Sequence, residues 1–349
     1  MKTLVIILLS ITTLVFALPF KESVESPEID DNNGWFVPQV DGSLKWMTQD
    51  EAAKAEHTLS MGRWFGKLKV KFYLYTQKNP DDPQEIFIGN ETSLSESNFN
   101  SNDETRFIIH GWQNDFTSDV NVEVRSALLD VMDCNVISVD WSQKAISINY
   151  MKSKHNVPKV GEKVAEMIDF LANEGQMSLD KLRLIGHSLG AHVAGFAGKH
   201  VTSGQIHTII GLDPAWPLYT FNGCAKRLCD SDAQYVESIH TNGGLLGFLK
   251  PIGNADFYVN GGKSQPGCGL DVGGICAHSR SFLYYAESIR DNHFTSQKCT
   301  HWKYAVKRSC KEGGSSKFMA KLGSYLNFKF VEGSYFTPVN KESPYGTGK

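Results

Sequence analysis

From Leu68 onward the chain alternates two hydrophobic patterns. Short β-rich apolar runs recur: LKVKFYLYT (68–76), TRFIIHGW (105–112), CNVISVDW (134–141), KLRLIGHS (181–188), HTIIGLDP (207–214), YVESIHT (235–241) and DFYVNGG (256–262). Each has the length of a strand. Between them, apolar residues fall three and four apart, so that Val120, Val124, Ala127, Leu128 and Val131 share one helical face and Val160, Val164, Ile168 and Leu171 share another. Strands alternating with helices predict an α/β fold, a central and mostly parallel sheet with helices on both faces. Residues 18–66 carry less pattern: an acidic segment, then GWFVPQVDGSLKWM, then a helical run from Gln49 to Leu59. They read as a leader packed on the domain or a short propeptide, ahead of an α/β domain over 67–340 and a tail over 341–349.

The N-terminus adds a compartment. Lys2 precedes the apolar run LVIILLSITTLVFA, which ends in Val15-Phe16-Ala17 with small residues where a signal peptidase reads. The run is shorter than the roughly 20 residues a bilayer needs, so residues 1–17 are expected to be a removed secretory signal and the protein extracellular. Six of the seven Cys fall between Cys224 and Cys310, a usage that fits an oxidising compartment. Asn90-Glu91-Thr92 is a glycosylation sequon in a polar stretch. With 41% apolar and 21% charged residues the chain is no disordered polymer, and a net charge of −3 leaves no positive surplus for nucleic acid.

Chemistry concentrates at Gly186-His187-Ser188-Leu189-Gly190. With 31 Gly in the chain, a GxSxG arises by chance in roughly one such sequence in five, and its context is what gives it weight. A short strand run precedes it and the helical AHVAGFAGK follows, which places Ser188 on a strand-to-helix turn so tight that flanking side chains would collide. There the hydroxyl faces the positive end of a helix, and the N–H of Leu189 points where a developing oxyanion would sit. A Ser hydroxyl needs a His to accept its proton and a carboxylate to orient that His. In such a turn-centred hydrolase the acid and then the His follow in the chain. Asp213, at the end of the next strand run, is the candidate acid. The base is open among His240, His278, His293 and His301, with a slight preference for His278 in a loop beside Cys276.

The blocks RFIIHGW, GHSLGAHVAGFAGK, GLDPAWPLY and QPGCGLDVGGICAHSRS together resemble the animal pancreatic-lipase family, and within it insect secreted neutral lipases and wasp-venom-type phospholipases A1. The resemblance spans about residues 65–340 and implies an α/β-hydrolase fold. It makes Ser188 the nucleophile, Asp213 the acid and His278 the base, and it sets the backbone N–H groups of Trp112 and Leu189 as the oxyanion hole. No cofactor is implied.

Three departures from the pancreatic pattern carry information. The lid is reduced to GLDVGGI between Cys268 and Cys276, too short for a useful amphipathic helix. In the calcium-binding stretch Arg227 and Asp232 match, while Cys224 and Cys229 stand at the other two positions, so no metal is expected. No C-terminal β-sandwich is expected, and with it no colipase partner. Cysteine bookkeeping pairs Cys224 with Cys229, Cys268 with Cys276 and Cys299 with Cys310, leaving Cys134 as a buried thiol.

The expected protein is a monomeric lipid-ester hydrolase, acting on phospholipid or galactolipid at the sn-1 ester in preference to acylglycerol, with LLGFL (245–249) as an apolar tip touching the lipid. The alternatives are a triacylglycerol (neutral) lipase, and a non-catalytic lipid-binding or yolk-type protein.

Overall fold

The seven apolar runs lie side by side in one sheet because each is hydrophobic on both faces and must be covered on both. In the computed structural model, which describes residues 33–61, 68–310, 319–328 and 330–348, they form β3 (Lys71–Tyr75), β5 (Glu104–Ile109), β6 (Cys134–Asp140), β7 (Leu182–His187), β8 (Thr208–Leu212), β9 (Tyr235–His240) and β10 (Ala255–Val259). The remaining strands are β1 (Gly34–Pro38), β2 (Leu44–Thr48), β4 (Gln84–Ile86), β11 (Thr295–Cys299), β12 (Met319–Lys321) and β13 (Gly333–Thr337). The signal expected over residues 1–17 lies outside the described residues.

Among the described residues the main sheet has eleven strands in the order β12-β11-β13-β10-β9-β8-β7-β5-β6-β3-β4. The block from β13 to β6 is parallel, and the two strands added at each edge are antiparallel. This is the α/β-hydrolase arrangement that the sequence implied. Its edge strands escaped the sequence pattern because β4 and β12 are three residues long and β11, TSQKC, is mostly polar.

The helices are α1 (Gln49–Met61), α2 (Glu91–Ser95), α3 (Asp119–Val131), α4 (Ser142–Ala145), α5 (Tyr150–Asn173), α6 (Leu189–His200), α7 (Ile275–Arg290) and α8 (Trp302–Val306). Period-two alternation splits the strands between two cores. Leu74, Phe107, Ile109, Val139 and Leu184 pack with α5 and α6, while Tyr75, Ile108, Val136, Ile185 and Phe257 pack with α3 and α7. In α5 the predicted face is the buried one: Val160, Val164, Ile168 and Leu171 are all sealed. In α3 the face is correct up to its last residue. Val131 is 45% exposed, because the helix ends there and Leu129 turns inward instead.

The N-terminal segment is built into this core. Strands β1 and β2 form an antiparallel hairpin, and Thr48 and Glu51 cap α1 reciprocally, each backbone N–H donating to the other's side chain. Trp35, Val37 and Ala52 are buried in the α5–α6 core, and the Trp35 indole N–H donates to the Tyr219 carbonyl at 3.0 Å. At the other terminus Gly348 N–H reaches the His293 carbonyl and Gly346 N–H the Glu287 carboxylate. Disulfides join Cys224 to Cys229, Cys268 to Cys276 and Cys299 to Cys310, and Cys134 is a buried free thiol. Asn90 is exposed and caps α2 through its side-chain oxygen.

Two consequences are measurable. Burial pushes the Cys134 thiol up to about 12, so it should stay protonated and unreactive. Ellman's reagent at pH 8 is expected to find no thiol in the native chain and one after denaturation without reductant; rapid native labelling would contradict this burial. Glu237, sealed in β9, accepts from Gly323 N–H at 2.7 Å and the Asn327 amide at 2.8 Å, yet desolvation raises it to about 7. Between the ordinary carboxylate range and that value, the native state holds a proton that the unfolded chain has released. The stability this contributes is complete at low pH and lost as pH rises through about 7. Between pH 5 and pH 8 the unfolding free energy of the wild type should therefore fall more than that of Glu237→Gln, by on the order of 1–3 kcal/mol. Parallel pH profiles in urea unfolding would contradict it.

Candidate active site

Ser188 sits at the junction of β7 and α6 with φ 58° and ψ −123°, a conformation that costs about 1–3 kcal/mol for a residue with a Cβ. Close packing enforces it. A Cβ on Gly186 would collide with the Gly190 carbonyl, and one on Gly190 with the carbonyls of Ile109 and His110. The Ser188 N–H donates to Leu212 O at 3.0 Å, and its carbonyl accepts from Ala215 N–H at 3.2 Å. The nucleophile's turn is thereby stitched to the turn that follows β8.

That second turn presents Asp213, also at positive φ (43°) and fully buried. Its Oδ1 accepts Thr241 N–H at 2.8 Å and Asn242 N–H at 3.0 Å, and its Oδ2 lies 2.6 Å from His278 Nδ1. With Nδ1 donating to the carboxylate, Nε2 is left as the basic nitrogen. His278 stands one turn into α7, with its N–H bonded to Gly274 O at 2.9 Å. Its ring lies 4.5 Å from that of His187, the residue before Ser188, and His187 Nε2 is 3.3 Å from the His278 carbonyl. Burial and the neighbouring His278 hold His187 well below the ordinary histidine range, so this supporting ring stays neutral. Among the described residues Ser188 Oγ has no hydrogen bond of its own, a looseness common before substrate binds.

The other three His are engaged elsewhere. His240 is sealed, with Nε2 2.8 Å from Asp256 Oδ1 and Nδ1 2.8 Å from the Phe248 carbonyl. His293 pairs with exposed Asp291, and His301 caps α8.

The 110–112 loop lies over Ser188, since a Cβ on Gly111 would fall 2.8 Å from that of Ser188. Buried His110 fixes the loop: its carbonyl accepts the Trp141 indole N–H at 2.8 Å, its Nε2 accepts the Trp141 backbone N–H at 3.3 Å, and the two rings stack. The Trp112 indole in turn donates to Ser147 O at 2.9 Å. Leu189, first residue of α6, has an N–H with no acceptor inside the helix.

Two expectations meet geometry here. LLGFL does not project as a tip. Leu246 and Phe248 are 7% and 1% exposed, Gly247 seats directly against the Asp213 carboxylate, and Phe248 N–H bonds Pro214 O. The run is apolar because it wraps the acid's turn. In the stretch compared above with a calcium site, the donors are already taken: Lys199 Nζ bonds the Arg227 carbonyl at 2.9 Å and the Asp232 carboxylate. The flanking positions are the Cys224–Cys229 disulfide. This donor set does not fit a divalent cation.

The model of the family described as Lipase matches residues 43–345. Phospholipase A1 of Vespula maculifrons is 39% identical over 256 residues, 70% of this chain and 83% of the relative. A probable phospholipase A1, magnifin, of Vespa magnifica is 37% identical over 257 residues, 70% and 74% of the two chains. Phospholipase A1 of Vespa velutina is 33% identical over 299 residues, 80% and 95%. The matched region begins in the N-terminal hairpin and ends in the C-terminal tail, taking in the turn at Ser188, the Asp213–His278 pair and both cores: the chain belongs to the lipase family.

Proposed function

We propose that this protein is a secreted serine ester hydrolase that releases the sn-1 acyl chain of phospholipids. The observation that carries the catalytic part is the 2.6 Å Asp213–His278 contact beside a serine held in a strained turn. His278 Nε2 takes the Ser188 proton as Oγ attacks the ester carbonyl carbon. Charge collects on the carbonyl oxygen, where the N–H groups of Leu189 and Trp112 receive it. As the tetrahedral centre collapses, His278 returns the proton to the leaving lysophospholipid oxygen. Water then repeats the sequence on the acyl-enzyme and frees the fatty acid. Asp213 orients the ring through Nδ1 and stabilises the imidazolium.

The phospholipid part rests on the Cys268–Cys276 loop, which contains turns and only the first residues of α7, with no helix of its own. A triglyceride lipase keeps an apolar groove dry under a long amphipathic cover. A loop of seven residues leaves the mouth open to a single polar-headed lipid. The phospholipase A1 relatives support the same reading. An extracellular location fits the three disulfides, and no described helix is long and apolar enough to cross a membrane.

Ser188→Ala, Asp213→Asn and His278→Ala should each lower kcat by about 10⁴ or more, and Ser188→Ala with His278→Ala should be no worse than either alone, since the three act as one unit. His240→Ala should instead lower Tm while Ser188 still reacts with an organophosphonate. A His278→Ala chain retaining most of its kcat would show the base to be elsewhere, and a native protein inert to the phosphonate would indicate a non-catalytic lipid carrier. For the substrate, release of the sn-1 fatty acid from phosphatidylcholine is expected to exceed trioleoylglycerol hydrolysis, without a jump at the emulsion threshold. A steep jump with negligible phospholipid turnover would establish the neutral lipase in its place.

A further inference from the structure

The loop between Cys268 and Cys276 turns three apolar side chains outward: Leu270 is 93% exposed, Val272 74% and Ile275 58%. Its single charged residue does not join them. The Asp271 carboxylate folds back to accept Cys276 N–H at 3.2 Å and Ala277 N–H at 2.7 Å, at the start of α7. The outward side of the loop is therefore apolar throughout, and both the disulfide and the Asp271 cap hold it in that shape.

A second element is pressed against this loop. The turn of the β1–β2 hairpin approaches so closely that a Cβ on Gly273 would lie 2.9 Å from the Gly42 carbonyl oxygen. Beside that contact Val40 is 55% exposed, and Asp41 turns its carboxylate onto Ser43 N–H and Oγ at 2.9 and 2.7 Å. The hairpin cannot swing away freely, because Trp35 and Val37 anchor its base in the core. On the far bank of the mouth Ile146 and Ile148 are 55% and 82% exposed, flanking the Ser147 carbonyl that holds the Trp112 indole. Exposed apolar side chains thus stand on both sides of Ser188, with the nearby acids tied into their own turns.

We infer that the hairpin turn and the short disulfide loop form one fixed rim that docks on a zwitterionic phospholipid surface, with Val40, Leu270, Val272 and Ile275 entering the acyl region. This deepens the phospholipid reading of the site and rests on it. An exposed apolar patch marks an interaction surface, and this one lies on the loop that leads directly into the first turn of α7, where His278 meets Asp213. The N-terminal hairpin then has a task beyond packing: it braces the loop and adds a side chain to the docking surface.

The test uses the full chain, with Ser188→Ala added wherever vesicles must survive. Flotation with phosphatidylcholine vesicles is compared for Val40→Glu, for the double variant Leu270→Glu/Val272→Glu, and for Leu326→Glu. Leu326 is 77% exposed but adjoins Asn327 and Phe328, which contact Glu237 and His207 near the amino ends of the strands, opposite Ser188. Vesicle partition should fall about fivefold or more for Val40→Glu, further for the double variant, and not at all for Leu326→Glu. With Ser188 restored, turnover of dihexanoyl phosphatidylcholine below its micelle threshold should fall at least fivefold less than partition does. Rim variants that bind vesicles like wild type, or that lose monomer turnover in proportion, would overturn the inference. Absence of wild-type turnover on the monomeric phospholipid would sink the substrate reading alone, since flotation of the Ser188→Ala chains measures docking without chemistry.

Discussion

The constraint on which the structure turns is the absence of room around Ser188. Its backbone is held at positive φ with three glycines pressed about it, Gly186, Gly190 and Gly111, each where an added carbon would strike backbone or Ser188 itself. Such a conformation persists only when its surroundings over-determine it. Here they do so twice, because the Ser188 N–H and carbonyl bond Leu212 and Ala215 on either side of Asp213. The turn that strains Ser188 is thereby joined to the turn that presents Asp213, and neither can relax without moving the other. That is how side chains from β7, β8 and α7 keep a common geometry without a rigid covalent link.

Among the described residues two interior histidines lie within hydrogen-bond distance of an aspartate, and the contrast between the two pairs shows which ring could serve as a base and which is a strut. Asp256 holds His240 at 2.8 Å, but the second ring nitrogen is spent on the Phe248 carbonyl and the side chain is fully sealed. Asp213 holds His278 at 2.6 Å, the other nitrogen is uncommitted among the described residues, and the side chain keeps 12% exposure. Only the second can exchange a proton with anything that enters. Both histidines lie after Asp213, which is why chain order and spacing left them open together with His293 and His301.

What was legible in the sequence follows from burial. The seven strands buried on both faces wrote themselves as apolar runs, and the turn at Ser188 was announced by its glycines. Elements whose partners lie far off in the chain were not legible. The polar strand β11 is a strand because β13 and β12 flank it, and LLGFL looked like an exposed tip because apolar character alone does not say which way a loop folds. Its signal was Gly247, the one residue small enough to lie on the Asp213 carboxylate. The hairpin of residues 34–48 carried a weak pattern for a related reason. Trp35 and Val37 face the core while Phe36 and Trp46 pair edge to face on the outside, so aromatic residues fall on both sides of a two-stranded ribbon and blur its alternation.

The Lys199 contact shows how one charge can be moved inside a fold. A divalent cation in this stretch would gather carbonyl and carboxylate oxygens from a loop and pin them together. Lys199 reaches from the last turn of α6 and does the same to the Arg227 carbonyl and the Asp232 carboxylate, with a single charge and directed N–H donors. The Arg227 guanidinium fastens the preceding loop through the Thr220 and Phe221 carbonyls, and the Cys224–Cys229 bridge closes what remains. Because Ser188 is the N-cap of α6, the helix that starts beside Ser188 clamps this loop with its other end. The loop also supplies Tyr219, whose carbonyl receives the Trp35 indole. The Lys199 ammonium thereby ties this loop, and through Tyr219 the N-terminal hairpin, to the helix that follows Ser188.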